Sequence, residues 1–429
     1  MPTTHDPYSA LRVPLFRRFL TASSLVSMGT AAQGLAIGWE IYDRTGQALS
    51  LGMVGLVQAI PMLLFTLPAG YLADVFDRRK LMMLSLAGAT LSSLALALFS
   101  WHEGPVHWMY ALLFLDSAFL RLGWPARAAI MPLLVPEEHF ENAVKWRTSL
   151  MQITGIGGPA VGGFVIAFNL QAAYLLSALS SAAFIGFLTR VRLPPAPRTH
   201  RGDMFGQMAE GLRFVWRQKL LLGAISLDLF AVLLGGAVYL LPIFARDIID
   251  LGPVGLGPEA ALGWLRAAPA VGALGMALLI AHLPPIRRAG TMLLGCVAGF
   301  GLATIAFGLT TSFWVAMAAL ALTGAFDNVS MVVRHVISQM STPNRMRGRV
   351  SAVNAVFVGS SNEIGGFESG LVAQLYNPVV SVVSGGVGTL LVVTAWTGLF
   401  PSLRRLGRLD ELAARRQEAE ENAPRPKSP

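Results

Sequence analysis

The sequence predicts an all-α integral membrane protein of about twelve transmembrane helices in two six-helix halves. Three observations predict it. The 429 residues are 54% hydrophobic and only 13% charged, with a mean hydropathy of +0.57, whereas soluble domains carry about a quarter charged residues. The deficit is spread along the whole chain as apolar runs of roughly 20 residues, the length that crosses a bilayer core as a helix. The second half also repeats the first: Arg127 and Arg334 are separated by 207 positions (334 − 127), as are Pro136 and Pro343 (343 − 136), and Gly158 and Gly163 fall on Gly365 and Gly370 at the same offset. Parallel repeats of this kind place a substrate site near the membrane midplane between the halves.

The elements follow in order. Arg12, Arg17 and Arg18 precede a first apolar segment over about Phe19 to Tyr42, which ends at the polar turn Asp43-Arg44-Thr45-Gly46. Ala48 to Ala73 carries no charge, nor does Leu81 to Trp101, so the charged stretch Asp74 to Lys80 between them lies at a membrane surface. Further segments are predicted near Trp108–Leu134, Ala143–Phe168, Ala172–Thr189, Leu220–Phe244, Ala260–Leu283, Thr291–Leu309, Phe313–Gln339, Ser351–Tyr376 and Val379–Phe400. Basic residues gather in alternate loops: Arg78 to Lys80, Arg190 to Lys219, Arg287, Arg288, Arg345, Arg347 and Arg349. By the positive-inside bias these loops and both termini are cytoplasmic, which predicts a multi-pass protein of the cytoplasmic (inner) membrane. Met1 to Pro14 has no apolar core of the signal-peptide kind, so the first helix is expected to act as an uncleaved insertion signal.

Four units are expected: a six-helix half over 15–190, a cytoplasmic linker over 191–219, a second half over 220–401 and a cytoplasmic tail over 402–429. Pro194, Pro195 and Pro197 start the linker as an extended tether. Met204 to Lys219 then interleaves apolar residues with Glu210, Arg213 and Arg217, the pattern of an amphipathic helix lying on the inner leaflet. The tail alternates acids and bases, as in a short helix followed by disorder.

The turn Gly70-Tyr-Leu-Ala-Asp74-Val-Phe-Asp-Arg78-Arg79-Lys80 resembles the signature between helices 2 and 3 of the major facilitator superfamily of transporters. In that reading Gly70 admits a close helix contact, Asp74 sits by the positive end of a helix dipole, and Arg78, one turn on, can pair with it. Gly70, Asp74, Arg78 and Arg79 then form a conformational latch at the cytoplasmic face. The counterpart in the second half, His282 to Gly290, keeps Arg287 and Arg288 but lacks the acid. Gly158-Pro159-x-x-Gly162-Gly163 resembles a fifth-helix motif of antiporters in the same superfamily, although Thr154 and Lys145 stand where that motif has glycine. The alternative is a purely structural close contact. Pro125-Ala126-Arg127, Pro132 to Pro136 and Arg347 to Ala352 look like the branch that contains the enterobactin exporter and macrolide-efflux proteins. That resemblance spans nearly all of Leu15 to Phe400. It implies a drug- or siderophore-exporting proton antiporter.

Ionisable residues inside spans are costly and therefore functional candidates. They are Glu40, Asp116, Arg121, Arg127, Arg147, Asp228, Arg266, Asp327, Arg334, Glu363 and Glu368. Arg127, Arg147 and Arg334 lie toward cytoplasmic ends, and Arg127, Arg334, Arg347 and Arg349 are read as structural basic residues that can snorkel to the surface, with Arg266 doing so on the other side. Asp116, Asp228, Asp327 and Glu363 are the proton-coupling candidates, because burial disfavours the charged form of a carboxyl. A fixed pair, such as Asp116 with Arg121 of its own helix, is the alternative. The scarcity of paired basic residues at the midplane argues against a strongly phosphorylated cargo. The plentiful aromatic and methionine residues, including Met53, Met62, Phe65, Trp124, Met151, Tyr239, Trp264 and Trp314, are read mainly as lipid-facing or bundle-core.

Several classes are excluded or disfavoured. The charge of +9 is distributed as membrane orientation requires, not as a nucleic-acid patch. One cysteine, Cys296, allows no disulfide framework. None of the four lysines follows a glycine, so no P-loop is present. No His, Cys or carboxylate cluster has metal-ligand spacing, and no cofactor or metal is expected. The expected function is secondary transport of a small amphipathic molecule, driven by protons and by a monomer in the lipid bilayer. An uptake carrier of the same fold is one alternative. A non-transporting sensor or membrane-embedded enzyme is another, of a different class.

Overall fold

The apolar runs fold into long helices joined by short turns. The structure, a computed structural model, describes residues 6–191, 204–282, 284, 287–343 and 346–407. The first half contains α1 (Pro14–Thr45), α2 (Ala48–Val75), α3 (Arg78–Trp101), α4 (Val106–Ile130), α5 (Phe140–Phe168) and α6 (Leu170–Arg190). The linker contributes α7 (Met204–Arg217). The second half contains α8 (Lys219–Leu234), the single turn α9 (Leu241–Ile243), α10 (Pro258–His282), α11 (Ala289–Leu309), α12 (Phe313–Ser341), α13 (Arg347–Leu375) and α14 (Pro378–Leu399), followed by the turn α15 (Pro401–Arg404). Pro194, Pro195, Pro197, Arg345 and the tail beyond 407 lie outside the described residues.

Among the described residues, nine helices are long and apolar enough to cross a bilayer. Three more, α1, α4 and α13, are long enough at 32, 25 and 29 residues but carry more polar side chains. The central cavity described below takes Asp116, Arg121 and Arg127 from α4, Glu363 from α13 and the polar Ser27, Thr30 and Gln33 from α1, which accounts for their lower apolarity.

Local chemistry sets the helix ends. Gly46 takes a left-handed conformation (φ 63°) and closes α1 with its N–H on the Tyr42 carbonyl. Asp77 caps α3 by accepting from the backbone N–H groups of Arg79 and Lys80. Asn169 caps α6 through Ala172, and Asn377 caps α14 through Val380, so the sixth span of each half begins with the same device.

The halves share one packing plan. In the first, α1 packs on α5 and α6, α4 on α2 and α3, and α3 on α6. In the second, α8 packs on α13 and α14, α12 on α10 and α11, and α11 on α14. The halves meet chiefly through α2 against α13 and α5 against α10. Glycines permit both approaches: a Cβ on Gly52 would lie 3.1 Å from the Gly370 Cα, and one on Gly163 would lie 2.5 Å from the Gly263 Cα.

Two segments differ from expectation. The seventh span was expected to continue as one helix to Phe244; α8 instead stops at Leu234, and the chain runs on through a 3-10 turn, Ala237–Leu240, and a π turn, Phe244–Ile248. Adjacent Gly235 and Gly236 weaken the helix, and Gly236 lies directly on the Gly365 carbonyl of α13, where a side chain has no room. The amphipathic α7, expected on the leaflet, packs against α8 and α13. Val215 is buried in a cluster with Leu221, Ile225, Val350 and Val353, while Trp216 stays exposed. Glu210 of α7 pairs with Arg349 of α13.

Candidate functional site: a cavity between the halves

Side chains of α1, α3 and α4, with Gln58 of α2, line a cavity of 330 Å³ that includes Asp116, Arg121, Arg127 and, from the other half, Glu363. A second void of 370 Å³ adjoins it, sharing Thr30, Gly34 and Gln58, and is completed by Pro159, Tyr239 and Arg266. A smaller one continues past Arg127 to Arg147, Met151 and Phe16. The lining therefore steps from the middle of the helices toward the end that carries Arg17 and Arg18. At the opposite end the halves are tied together. Tyr42 donates to Asp247 at 2.5 Å, Arg246 donates to Asp43 at 2.8 Å, and the Arg246 guanidinium stacks 5.8 Å from the Tyr42 ring.

The polar groups of the cavity fall into three sets. Asp116 accepts from the Gln33 amide at 3.0 Å, and Gln33 in turn accepts from Ser93 at 2.6 Å, joining α4, α1 and α3. The other Asp116 oxygen is buried with no hydrogen-bond partner, and Asp116 makes no ion pair among the described residues. The expected alternative, a pair with Arg121, is not made. Arg121 instead reaches across the halves to Glu363, 3.8 Å away. Glu363 also accepts a hydrogen bond from Tyr239, which the broken end of α8 delivers to it. Arg266 was expected to snorkel outward. It lies in this cavity, where its guanidinium donates to the Val238 carbonyl at 3.3 Å. Periodicity gave no warning, because Tyr239 is brought to Glu363 only by the 3-10 turn Ala237–Leu240 packing on α13, and Arg266 joins from α10 at the neighbouring Val238 carbonyl.

The other candidates are placed elsewhere. Asp228 and Asp327 flank Arg334, Asp228 in direct contact and Asp327 at 3.6 Å, beside a small void of the second half that also includes Cys296. Arg334 is thus an internal counter-ion and not a surface anchor. Arg127, also expected to snorkel, bonds Ser23 and stacks 5.6 Å from the Phe184 ring. Glu40 is buried with Arg44 and Tyr174, the latter donating at 2.6 Å. Glu368 accepts from Ser369 at 3.4 Å.

In the motif of the second and third helices, Arg78 donates to the Ala73 carbonyl at 3.4 Å and Arg79 to the Thr189 carbonyl at 2.8 Å, tying the start of α3 to α2 and α6. Asp74 is half-buried on the last turn of α2. Gly70 was expected to sit under a neighbouring helix, yet a Cβ there would meet nothing within 4 Å. Arg349 is engaged by Glu210, and the Arg347 Nε is buried without a partner. In α5, Gly158 and Gly162 lie against Ala31 and Ala32 of α1, and Gly163 against Gly263 of α10, so the glycine motif is where three helices cross.

A cavity lined from both halves of a bundle of two similarly packed six-helix sets is the architecture of a major facilitator transporter, and comparison with known proteins bears on the branch. Residues 5–424 match the profile described as transmembrane secretion effector. The chain belongs to that family. Among characterised relatives, the enterobactin exporter EntS of Shigella dysenteriae is 26% identical over 388 residues, 90% of each chain, and EntS of Shigella boydii is 26% identical over 401 residues, 93% of each. Among solved structures, the nucleoside transporter NupG superimposes with a TM-score of 0.72 at 13% identity, covering 90% of this chain and 100% of its own. A bacterial homologue of the human lysosomal transporter Spinster, in an inward-facing and unoccupied conformation, superimposes with a TM-score of 0.65 at 15% identity, covering 94% of this chain and 98% of its own. These similarities carry the fold; membership of the family makes the protein a multi-pass membrane transporter of small molecules.

Proposed function

We propose that this transporter exports a small amphipathic organic molecule, such as a siderophore or a hydrophobic drug, across the cytoplasmic membrane by alternating access in exchange for protons. The observation that carries the reading is the cavity lined by both halves and bounded at one end by the Tyr42, Asp43, Arg246 and Asp247 contacts. Export is favoured by the names of the EntS relatives. The gathering of Arg17, Arg18, Arg78 to Lys80 and Arg190 at the other end supports cytoplasmic termini and a cytoplasm-facing cavity. The two halves, 15–190 and 220–401, rock about the α2–α13 and α5–α10 contacts, with 191–219 as linker, and a monomer suffices because the cavity is complete within one chain.

Asp116 is the favoured coupling residue. It faces the cavity, is buried and makes no ion pair among the described residues, so an isolated negative charge there is costly and proton exchange relieves it. Asp228 and Asp327 already share Arg334, and Glu363 has Arg121 and Tyr239. Gly70, Asp74, Arg78 and Arg79 act as the cytoplasmic latch when the halves close at that end.

Deleting the gene tests the direction. Intracellular retention of the exported compound and sensitivity to it should both rise, and re-expression should reverse both. A deletion strain that instead fails to accumulate an external nutrient makes the protein an importer.

A further inference from the structure

The connected voids of the cavity are unbalanced in charge. Four arginines line them, Arg121, Arg127, Arg147 and Arg266, against two carboxylates, Asp116 and Glu363. Glu363 is approached from two sides: Arg121 of the first half reaches it at 3.8 Å, and Arg266 of α10, without an ion pair of its own among the described residues, bonds the carbonyl of Val238, next to the Tyr239 that donates to Glu363. Arg266 has the Val238 carbonyl as its hydrogen-bond acceptor. A guanidinium inside a membrane protein with so little compensation is costly, and a bound anion would relieve it. The same space has an apolar side, with Trp124, Leu120 and Leu86.

We infer that the cavity binds an organic anion, an aromatic or aliphatic body bearing a carboxylate or comparable acidic group, with Arg121 and Arg266 as its cationic contacts and Glu363 as the internal anion it displaces from Arg121. The inference rests on the reading of this cavity as the transport site and names its substrate class. It runs against the scarcity of midplane cations expected from the sequence. Arginine suits the role because its planar fork donates two parallel hydrogen bonds to a carboxylate and keeps its charge at every physiological pH. Tyr239 holds the freed Glu363 by its existing hydrogen bond, so displacement leaves the carboxylate with a donor.

The test compares two probes of matched shape and opposite charge, 1-pyrenebutyrate and 1-pyrenebutylammonium, on the full-length protein in phosphatidylcholine nanodiscs. Binding is read by energy transfer from tryptophan, with empty nanodiscs as background. The butyrate should bind at least about tenfold more tightly than the ammonium, and R266Q and R121Q should each weaken it by about 10- to 100-fold, the range for hydrogen bonds to a charged group. R266K should recover part of the loss, and E363Q should tighten butyrate binding by removing the competing anion. Tightening in E363Q is an effect that a merely destabilised protein does not produce. Equal binding of the two probes, no binding of either, or butyrate binding indifferent to R266Q and R121Q overturns the anion site. Export of a cation with R266Q silent rejects the anion and leaves the exporter reading intact; anion binding by a protein that moves nothing in everted vesicles does the reverse.

Discussion

Arg246, in the π turn after α9, donates to Asp43 near the end of α1 at 2.8 Å, and this contact joins the two halves of the transporter. Tyr42 and Asp247, the adjacent residues on each side, make the neighbouring bond. Both lie at the end remote from the Asp74 motif, so they hold the bundle shut on one face while the cavity lining extends toward the other.

Breaking that lock should shift the conformational balance. The Asp43 and Arg246 side chains are 54% and 38% exposed, and exposed pairs contribute only about 0.2–1 kcal/mol. Asp43→Asn should therefore raise opening at this end by about 1.5- to 5-fold, and adding Tyr42→Phe should raise it further. The measurement is labelling of a cysteine at Gln58 by a membrane-impermeant maleimide from outside, in a background with Cys296 replaced by serine. Unchanged labelling in the double variant removes the lock from the account.

Amide substitution separates the four acids. Asp116→Asn should abolish proton movement on substrate addition in proteoliposomes while leaving the fold intact, because the Gln33 amide can still donate to the remaining carbonyl oxygen. Glu363→Gln, Asp228→Asn and Asp327→Asn should retain coupling in part. If Asp116→Asn still moves protons with substrate, coupling resides in another group.

Arg334 should matter for stability first. Arg334→Gln leaves the buried Asp228 without its cation, and breaking a buried pair costs about 3–5 kcal/mol. The variant should express poorly and melt at lower temperature in detergent. The double variant Arg334→Gln, Asp228→Asn should recover much of the loss. A single variant as stable as the parent contradicts the pairing.

At the opposite end, Gly70→Val should insert and fold normally, since a side chain there meets open space in this arrangement. Transport should fall sharply if Gly70 comes under another helix when the latch closes. Asp74→Asn should likewise preserve expression and slow transport. Wild-type transport by both well-expressed variants eliminates the latch.

Much of the fold was legible in the sequence. Uncharged runs such as Ala48 to Ala73 must be helices in a bilayer, because no other local structure satisfies the backbone there, and the repeated Arg127 and Arg334 marked the two halves. Candidate acids were legible as well, since charge within an apolar run stands out. Their partners were not. Asp116 and Glu363 both looked isolated, with a pair of Asp116 and Arg121 on one helix as the alternative, yet Arg121 crosses to Glu363 while Asp116 turns to Gln33.

What the sequence by itself determined is therefore the all-helical class and the order and chemistry of the apolar segments, which depend on interactions within each helix and with lipid. Which charges neutralise one another, which face the cavity and which end is closed were decided by tertiary structure. Those outcomes depend on how glycine contacts such as Gly52 with Gly370 and Gly163 with Gly263 bring α2 to α13 and α5 to α10, and on the break at Gly235 and Gly236 that carries Tyr239 to Glu363. Side chains more than a hundred positions apart become neighbours through that packing, and no helical period along one chain segment encodes it.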